Sequence, residues 1–99
     1  MIAEIQVLPS PAGPPDARYA HVDAAIAVLQ RAGLRVEVGA LGTTVEGQPD
    51  AVWATVRAAH EATLAAGAGG VVTVLKLAEG AADGPDSGPT VDDLVGPHR

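Results

Sequence analysis

The sequence predicts an α+β domain of the ferredoxin-like class, a β-α-β-β-α-β sandwich with a four-stranded antiparallel sheet and two helices on one face. The first observation is that strand-like and helix-like patterns alternate in this order along the chain. The second is a short glycine-containing turn between the two middle strands, which is typical of a β-hairpin. The third is length, because 99 residues suffice for one modest core and not for two.

The first third of the chain supplies one strand and one helix. Residues 2–8 alternate apolar and polar side chains, which predicts a strand. Four prolines within residues 9–15 exclude regular structure there and predict a loop that leads to a helix N-cap at Asp16. Apolar residues then recur at three- and four-residue spacing up to Gly33, which predicts a helix that faces the core with Tyr19, Val22, Ile26 and Leu29.

The second and third strands are predicted to form a hairpin. Residues 34–38 alternate apolar and polar side chains, and the β-branched run 43–45 also favours a strand. Gly39 and Gly42 flank the turn, and we expect both to adopt positive φ so that the chain can reverse.

The last helix and strand complete the predicted sandwich. Residues 49–66 predict a helix that turns Val52, Val56, Ala59 and Thr63 inward. Residues 70–77 predict a strand with apolar side chains on both faces, and such a strand is buried on both faces. Because two helices cover only one face of the sheet, the sequence predicts a homodimer or homotetramer in which a second copy packs on the open face or extends the sheet.

Residues 1–78 form the predicted domain, and residues 79–99 form an acidic, Gly- and Pro-rich C-terminal tail. This tail contains five of the twelve acidic residues and one of the six basic residues, so it carries −4 of the net charge of −6. It ends with one short capped helical pattern at 90–95. We expect this tail to be loosely attached.

Composition argues against several partners. The net negative charge and the lack of a basic stripe argue against nucleic acid. No apolar run is long enough to cross a membrane and the first residues lack a signal-peptide pattern, so we expect a cytoplasmic protein with no membrane partner. With no cysteine in the chain, disulfides and thiolate chemistry are excluded.

No motif predicts an enzyme. His60 and Glu61 resemble the start of a zinc-binding helix, but the second histidine of that motif is replaced by Leu64. Ser10 has no adjacent histidine that would activate it. The glycines at 67–70 follow a helix and precede a strand, whereas phosphate-binding loops have the reverse order. We therefore expect no catalytic residue, no metal and no cofactor.

Five segments resemble the small thiamine-binding protein family. They read Ile-Ala-Glu-Ile-Gln-Val-Leu-Pro at 2–9, Gly-Leu-Arg-Val-Glu-Val-Gly at 33–39, Leu-Gly-Thr-x-x-Glu-Gly at 41–47, Ala-His-Glu-Ala at 59–62 and Val-Val-Thr-x-x-Lys at 71–76. The resemblance covers residues 1–77 and implies a ferredoxin-like domain that assembles into dimers or tetramers. It also implies binding of thiamine or its hydroxymethylpyrimidine part without chemistry. The chain departs from the family pattern after the last strand, where the usual Asp-x-Arg segment is missing.

The resemblance implies a ligand site at the 41–47 motif, with Gly42, Thr43, Glu46 and Gly47. Alternation and proximity add Gln6, Glu37 and Thr44. Thr43 and Thr44 point to opposite faces of their strand, so at most one of them contacts a ligand through its side chain. Carboxylates, hydroxyls and apolar walls suit thiamine, which carries a thiazolium cation and an aminopyrimidine that both donates and accepts hydrogen bonds.

Two functions of other classes stay open on the sequence alone. Ferredoxin-like dimers also host small oxygenases and isomerases, so a small dimeric enzyme is one alternative. A regulatory or assembly module without a small-molecule ligand is the other. A thermal-shift screen with thiamine, its phosphates, hydroxymethylpyrimidine and amino acids separates the three, because ligand binding to the folded state raises the melting temperature.

Overall fold

The computed structural model describes residues 1–80 and 89–99. The elements are, in order, β1 (Ile2–Ser10), α1 (Ala20–Arg31), β2 (Arg35–Val38), β3 (Thr43–Glu46), α2 (Pro49–Ala65), β4 (Gly70–Ala78), α3 (Val91–Val95) and a 3-10 turn (Gly96–His98). The four strands form one sheet in the order β2-β3-β1-β4, and every neighbouring pair is antiparallel. The predicted ferredoxin-like fold is confirmed.

The core lies between the sheet and helices α1 and α2. The sheet contributes Ala3, Ile5 and Val45, which pack against buried Ala25 and Leu29 of α1. Helix α2 buries the predicted stripe, Val52, Val56, Ala59 and Thr63. Most of these side chains are small, so the helices pack close to the sheet and each residue buries little apolar area.

Helix α1 begins later than predicted. Its N-cap is Tyr19 rather than Asp16, and no side chain caps it. Instead, the backbone N–H of His21 donates to the Ala12 carbonyl at 2.8 Å, and Nδ1 of the same residue donates to the Pro11 carbonyl at 2.8 Å. His21 is buried. Its ring therefore holds the proline-rich loop against the start of the helix, a role that the local sequence does not indicate.

The hairpin turn closes without positive φ. Among the described residues only Gly33 and Gly67 have positive φ, at 77° and 117°, so the expectation for Gly39 and Gly42 is wrong. The Gly39 N–H donates to the Gly42 carbonyl at 2.9 Å. A Cβ at Gly39 would lie 2.7 Å from that carbonyl oxygen. Glycine is therefore favoured at residue 39 by a close backbone contact rather than by its dihedral angles.

The second face of the sheet, here called the open face, is covered unevenly. Near β4 it exposes Leu8, Val72 and Val74, with 63% of Val72 and 44% of Val74 accessible. The predicted burial of β4 on both faces is therefore not met within a single chain. Near β2 and β3 the open face is covered by residues 89–99 of the same chain.

Residues 90–99 pack on the sheet rather than trailing loosely. Thr90 caps α3 through a capping box with Asp93, and Val91 is only 3% exposed. The expectation of a loosely attached tail is therefore wrong for this part. Residues 81–88 of the predicted tail lie outside the described residues, and the domain boundary at residue 78 stays a prediction.

Candidate functional site

A pocket lies between α1, β1 and the turn that joins β2 to β3. We call it the hairpin pocket, and its volume is about 280 Å³. Its walls are mainly apolar: Ile5, Val7, Val22, Ala25, Ile26, Leu29 and the turn residues Ala40 and Leu41. Small-molecule sites have this character, with apolar walls and a few polar groups that fix the orientation of the ligand.

Helix α1 and its N-cap residue form one wall of this pocket. The predicted stripe of Tyr19, Val22, Ile26 and Leu29 lines the pocket in full, but only Leu29 is buried among these four. Tyr19 lies at the rim and is exposed, with the guanidinium carbon of Arg18 5.4 Å from the centre of its ring. The helical periodicity thus identified the wall, although the pattern predicted a packed core at this place.

Three of the predicted site residues line the hairpin pocket: Gln6, Gly42 and Thr43. Thr43 is buried and lies on the face of β3 that the helices cover. Gln6 alternates with Ile5 and Val7, which places its side chain on the open face beside Val74 and brings its backbone to the pocket.

Gly42 lets the hairpin lie close to β1. A Cβ at this residue would meet the Ile5 carbonyl oxygen at 3.2 Å and Cγ of Glu4 at 3.3 Å. Both contacts are tighter than ordinary van der Waals distances. The glycine of the motif therefore shapes one end of the pocket through its backbone.

The other predicted polar residues lie on the open face. Strand register places Glu37 opposite Thr44, and Thr44 opposite Glu4. It also places Arg35 opposite Glu46. Thr43 and Val45 are buried on the helix side, so alternation turns Thr44 and Glu46 away from the hairpin pocket. The structure therefore divides the predicted site between two faces of one sheet.

Glu46 is already bonded within the chain. Its Oε1 accepts from the backbone N–H of Val91 at 2.7 Å, and its Oε2 lies 4.0 Å from Nη1 of Arg35. Arg35 in turn donates to both carboxylate oxygens of Asp92, at 2.8 Å and 2.7 Å. This two-point hydrogen bond holds the pKa of Asp92 below its usual range.

Glu37 is bonded to the last residue of the chain. Nη2 of Arg99 donates to Oε1 of Glu37 at 2.9 Å, and Nη1 of Arg99 donates to Asp92 at 3.2 Å. Both carboxylates that the sequence assigned to a cationic ligand thus contact the C-terminal segment (residues 89–99). Sequence reasoning missed these partners, and only the capping pattern at 90–93 indicated structure there.

Gly47 lies where β3 meets the start of β1. Its N–H donates to the Met1 carbonyl at 3.1 Å, and the Met1 amino group donates to the Gly47 carbonyl at 2.9 Å. A Cβ here would approach Cδ2 of Leu34 to 2.7 Å. These contacts give Gly47 a packing role, while its predicted contact with a ligand stays a prediction.

The sequence matches one known protein family over most of its length. A family model described as thiamine-binding protein matches residues 3–86. The chain belongs to the thiamine-binding protein family. The resemblance drawn from the five segments is thereby confirmed. A UPF0045 protein of Clostridium perfringens is 34% identical over 96 residues, which cover 96% of this chain and 93% of the relative.

Two solved structures extend the comparison to three dimensions. The DUF77 domain of Bacillus cereus is 36% identical and superposes with a TM-score of 0.82, covering 99% of this chain and 88% of that one. A candidate thiamine biosynthesis/salvage protein of Thermotoga maritima is 26% identical with a TM-score of 0.77, covering 99% of this chain and 97% of that one. Both solved structures therefore share the fold of the residues that the structure describes.

Residues 1–80 and 89–99 contain neither a metal-binding cluster nor a membrane-spanning helix. No three side chains of histidine, aspartate or glutamate come together there in a way that would hold a metal ion. None of the described helices has the length and apolarity needed to cross a bilayer.

Proposed function

We propose that this member of the thiamine-binding family binds thiamine, or its hydroxymethylpyrimidine part, in the hairpin pocket. One observation carries the proposal: the Gly-Thr pair of the family motif, Gly42 and Thr43, lines an apolar pocket beside a rim tyrosine. Family membership supports the choice of ligand.

The hairpin pocket suits the pyrimidine half of the ligand. An aminopyrimidine ring is flat, offers ring nitrogens as acceptors and an amino group as donor, and needs apolar contacts on its faces. Val22 and Ile26 supply such contacts from α1. The Thr43 hydroxyl and the backbone of residues 39–42 supply donors and acceptors. The thiazolium would lie at the mouth beside the exposed Tyr19, where solvent keeps its charge hydrated.

We propose further that the protein performs no reaction on this ligand. Acid–base catalysis needs a titratable group near the reacting atoms. Among the residues that the structure describes at this pocket, Tyr19 is the one titratable side chain, and it lies exposed at the rim. This supports a binding protein over a small ferredoxin-like enzyme.

The test compares two neighbouring threonines by calorimetric titration with thiamine. Thr43→Val removes a hydroxyl at the hairpin pocket, and Thr44→Val removes one from the open face, so each variant is a matched control for the other. We expect Thr43→Val to lose about 1–2 kcal/mol of binding free energy, or roughly five- to thirtyfold in affinity. Thr44→Val should bind as the unaltered protein does.

Two outcomes contradict the proposal. A larger loss in Thr44→Val than in Thr43→Val would move the ligand to the open face. No binding of either thiamine or hydroxymethylpyrimidine to the unaltered protein would remove the proposed ligand altogether. Thermal unfolding of both variants checks that the fold is kept, and valine suits a strand at both positions.

We also propose that the protein assembles with copies of itself as a homodimer or homotetramer. The exposed apolar side chains of Leu8, Val72 and Val74 on the open face support this proposal. Contiguous apolar patches of this kind are uncommon on monomers and mark interaction surfaces.

A further inference from the structure

A second pocket lies between α2 and β4, and none of the predicted site residues lines it. Its volume is about 540 Å³, within the usual range for small-molecule sites. Val56 and Leu75 form apolar walls, and Ile5 separates it from the hairpin pocket because this residue lines both. β4 is an edge strand, so the pocket opens to the side of the sheet.

A fixed histidine provides one polar group of this pocket. Nδ1 of His60 is hydrogen-bonded to the hydroxyl of Thr73, and both residues line the pocket. This bond holds the imidazole ring in one orientation and leaves Nε2 as the nitrogen that can bond a ligand. An imidazole nitrogen held in this way can form a hydrogen bond with an oxygen or nitrogen atom of a ligand.

An arginine at the rim provides positive charge. The Nε of Arg57 donates to Oε1 of Glu61 at 2.7 Å, and both side chains are largely exposed. That bond uses one of the five N–H donors of the guanidinium. Exposed pairs of this i,i+4 type are weak. A ligand carboxylate in the pocket can therefore bind the Arg57 guanidinium together with Glu61 or in its place.

An indole ring completes the lining. Trp53 lies on the rim with 49% of its surface exposed. An aromatic ligand gains stacking contacts from such a ring in addition to the apolar contacts of the walls. The same pocket disfavours a cation such as thiamine, because the charged group in its lining is Arg57.

We propose that the pocket between α2 and β4 is a second small-molecule site, for a planar aromatic ligand that carries a carboxylate. The ring lies between Trp53 and the apolar walls, and the carboxylate meets Arg57 with His60 beside it. This site is separate from the hairpin pocket, and the inference does not depend on the proposed binding of thiamine.

The chain offers a separate reporter for each pocket. Trp53 is the only tryptophan and Tyr19 is the only tyrosine. The single indole N–H signal in a proton–nitrogen NMR spectrum therefore reports the α2–β4 pocket, and the ring signals of Tyr19 report the hairpin pocket. The probe is 2-naphthoate, with the uncharged 2-naphthamide as its matched control ligand.

We expect 2-naphthoate to shift the Trp53 indole signal saturably and to leave Tyr19 unchanged, with 2-naphthamide binding more weakly. Arg57→Gln should weaken 2-naphthoate by about five- to thirtyfold, since it removes a charge-assisted bond. Arg31→Gln, an equal charge change at an exposed residue of α1, should leave the affinity unchanged. Both arginines are exposed, so neither variant should disturb folding.

Three results would overturn the inference. One is that 2-naphthoate and 2-naphthamide bind equally and Arg57→Gln changes neither. Another is that thiamine, rather than 2-naphthoate, shifts the Trp53 signal, which would place thiamine here. The third is that the signal shifts with protein concentration alone and never with 2-naphthoate, which would show that a second copy covers the pocket.

Discussion

At the scale of single residues, neighbours in one motif serve different faces of the sheet. Thr43 is buried under the helices and lines the hairpin pocket, whereas Glu46 contacts the C-terminal segment on the open face. A strand alternates its side chains, so residues three apart point in opposite directions. We therefore expect a ligand in the hairpin pocket to contact Thr43 and not to reach the Glu46 side chain.

Glu46→Gln tests which face of the sheet holds the ligand. Its amide oxygen can still accept from the Val91 N–H, and only the charge near Arg35 is lost. We expect thiamine affinity to stay within about twofold of the unaltered protein, because no hydrogen bond of the hairpin pocket changes. Calorimetric titration measures this. A loss of one to two decades would instead place the cationic ligand beside Glu46.

At the scale of elements, the C-terminal segment is attached by contacts of unequal strength. Val91 is buried and its N–H bonds Glu46, while the ion pairs of Arg35 and Arg99 are exposed. Exposed ion pairs contribute little individually and are screened by salt. The two-point contact between Arg35 and Asp92 is the strongest of these pairs, because it joins planar groups through two parallel bonds.

Attachment of the C-terminal segment should weaken in acid. The pKa of Asp92 is lowered mainly by its hydrogen bonds to Arg35. The Asp92–Arg35 contact therefore contributes fully to the attachment of the segment above the ordinary carboxylate range of about 4. The contribution is lost as the pH falls through the lowered pKa, because the attached segment then binds fewer protons than the free one. Amide hydrogen exchange at Val91 and Leu94 measures this, and we expect it to accelerate below about pH 4 relative to α2.

Asp92→Asn tests the same contact at neutral pH. It should loosen the segment at pH 7, whereas Asp23→Asn, an equal charge change at an exposed residue of α1, should not. Equal exchange rates at Val91 in the two variants would show that the buried Val91 alone holds the segment.

At the scale of the whole molecule, the surface left for self-assembly is the half of the open face beside β4, because residues 89–99 pack on the other half. Leu75 packs against the core on the helix side, so a charge there would destabilise the fold itself. Val72 and Val74 lie exposed on the open face. The uncovered half of that face is thus the place where a second copy would pack.

Val74→Lys is expected to convert the assembly to monomers at micromolar concentration, because an unpaired charge in a packed apolar contact costs several kcal/mol. Leu64→Lys is the matched control, since Leu64 on α2 has the same exposed fraction as Val74, 44%, and lies away from the sheet. Light scattering measures the mass of each. A monomeric unaltered protein would contradict the proposed assembly.

The order of elements and the buried face of α2 were determined by the sequence alone. Periodicity is a local property, so the inward stripe of α2 and the β-α-β-β-α-β order could be predicted from neighbouring residues. The family motif likewise identified Gly42 and Thr43, which line the hairpin pocket. These predictions required no knowledge of which distant residues meet.

The pocket itself and the partners of the two acidic residues were decided only by the tertiary structure. Val91 contacts Glu46 across 45 positions in the chain, and Arg99 contacts Glu37 across 62. Whether a side chain that is polar by pattern faces solvent, a ligand or another part of its own chain depends on how the elements pack. Alternation assigned Thr43 and Thr44 to opposite faces, but only the packing of α1 and residues 89–99 decided which face holds the pocket.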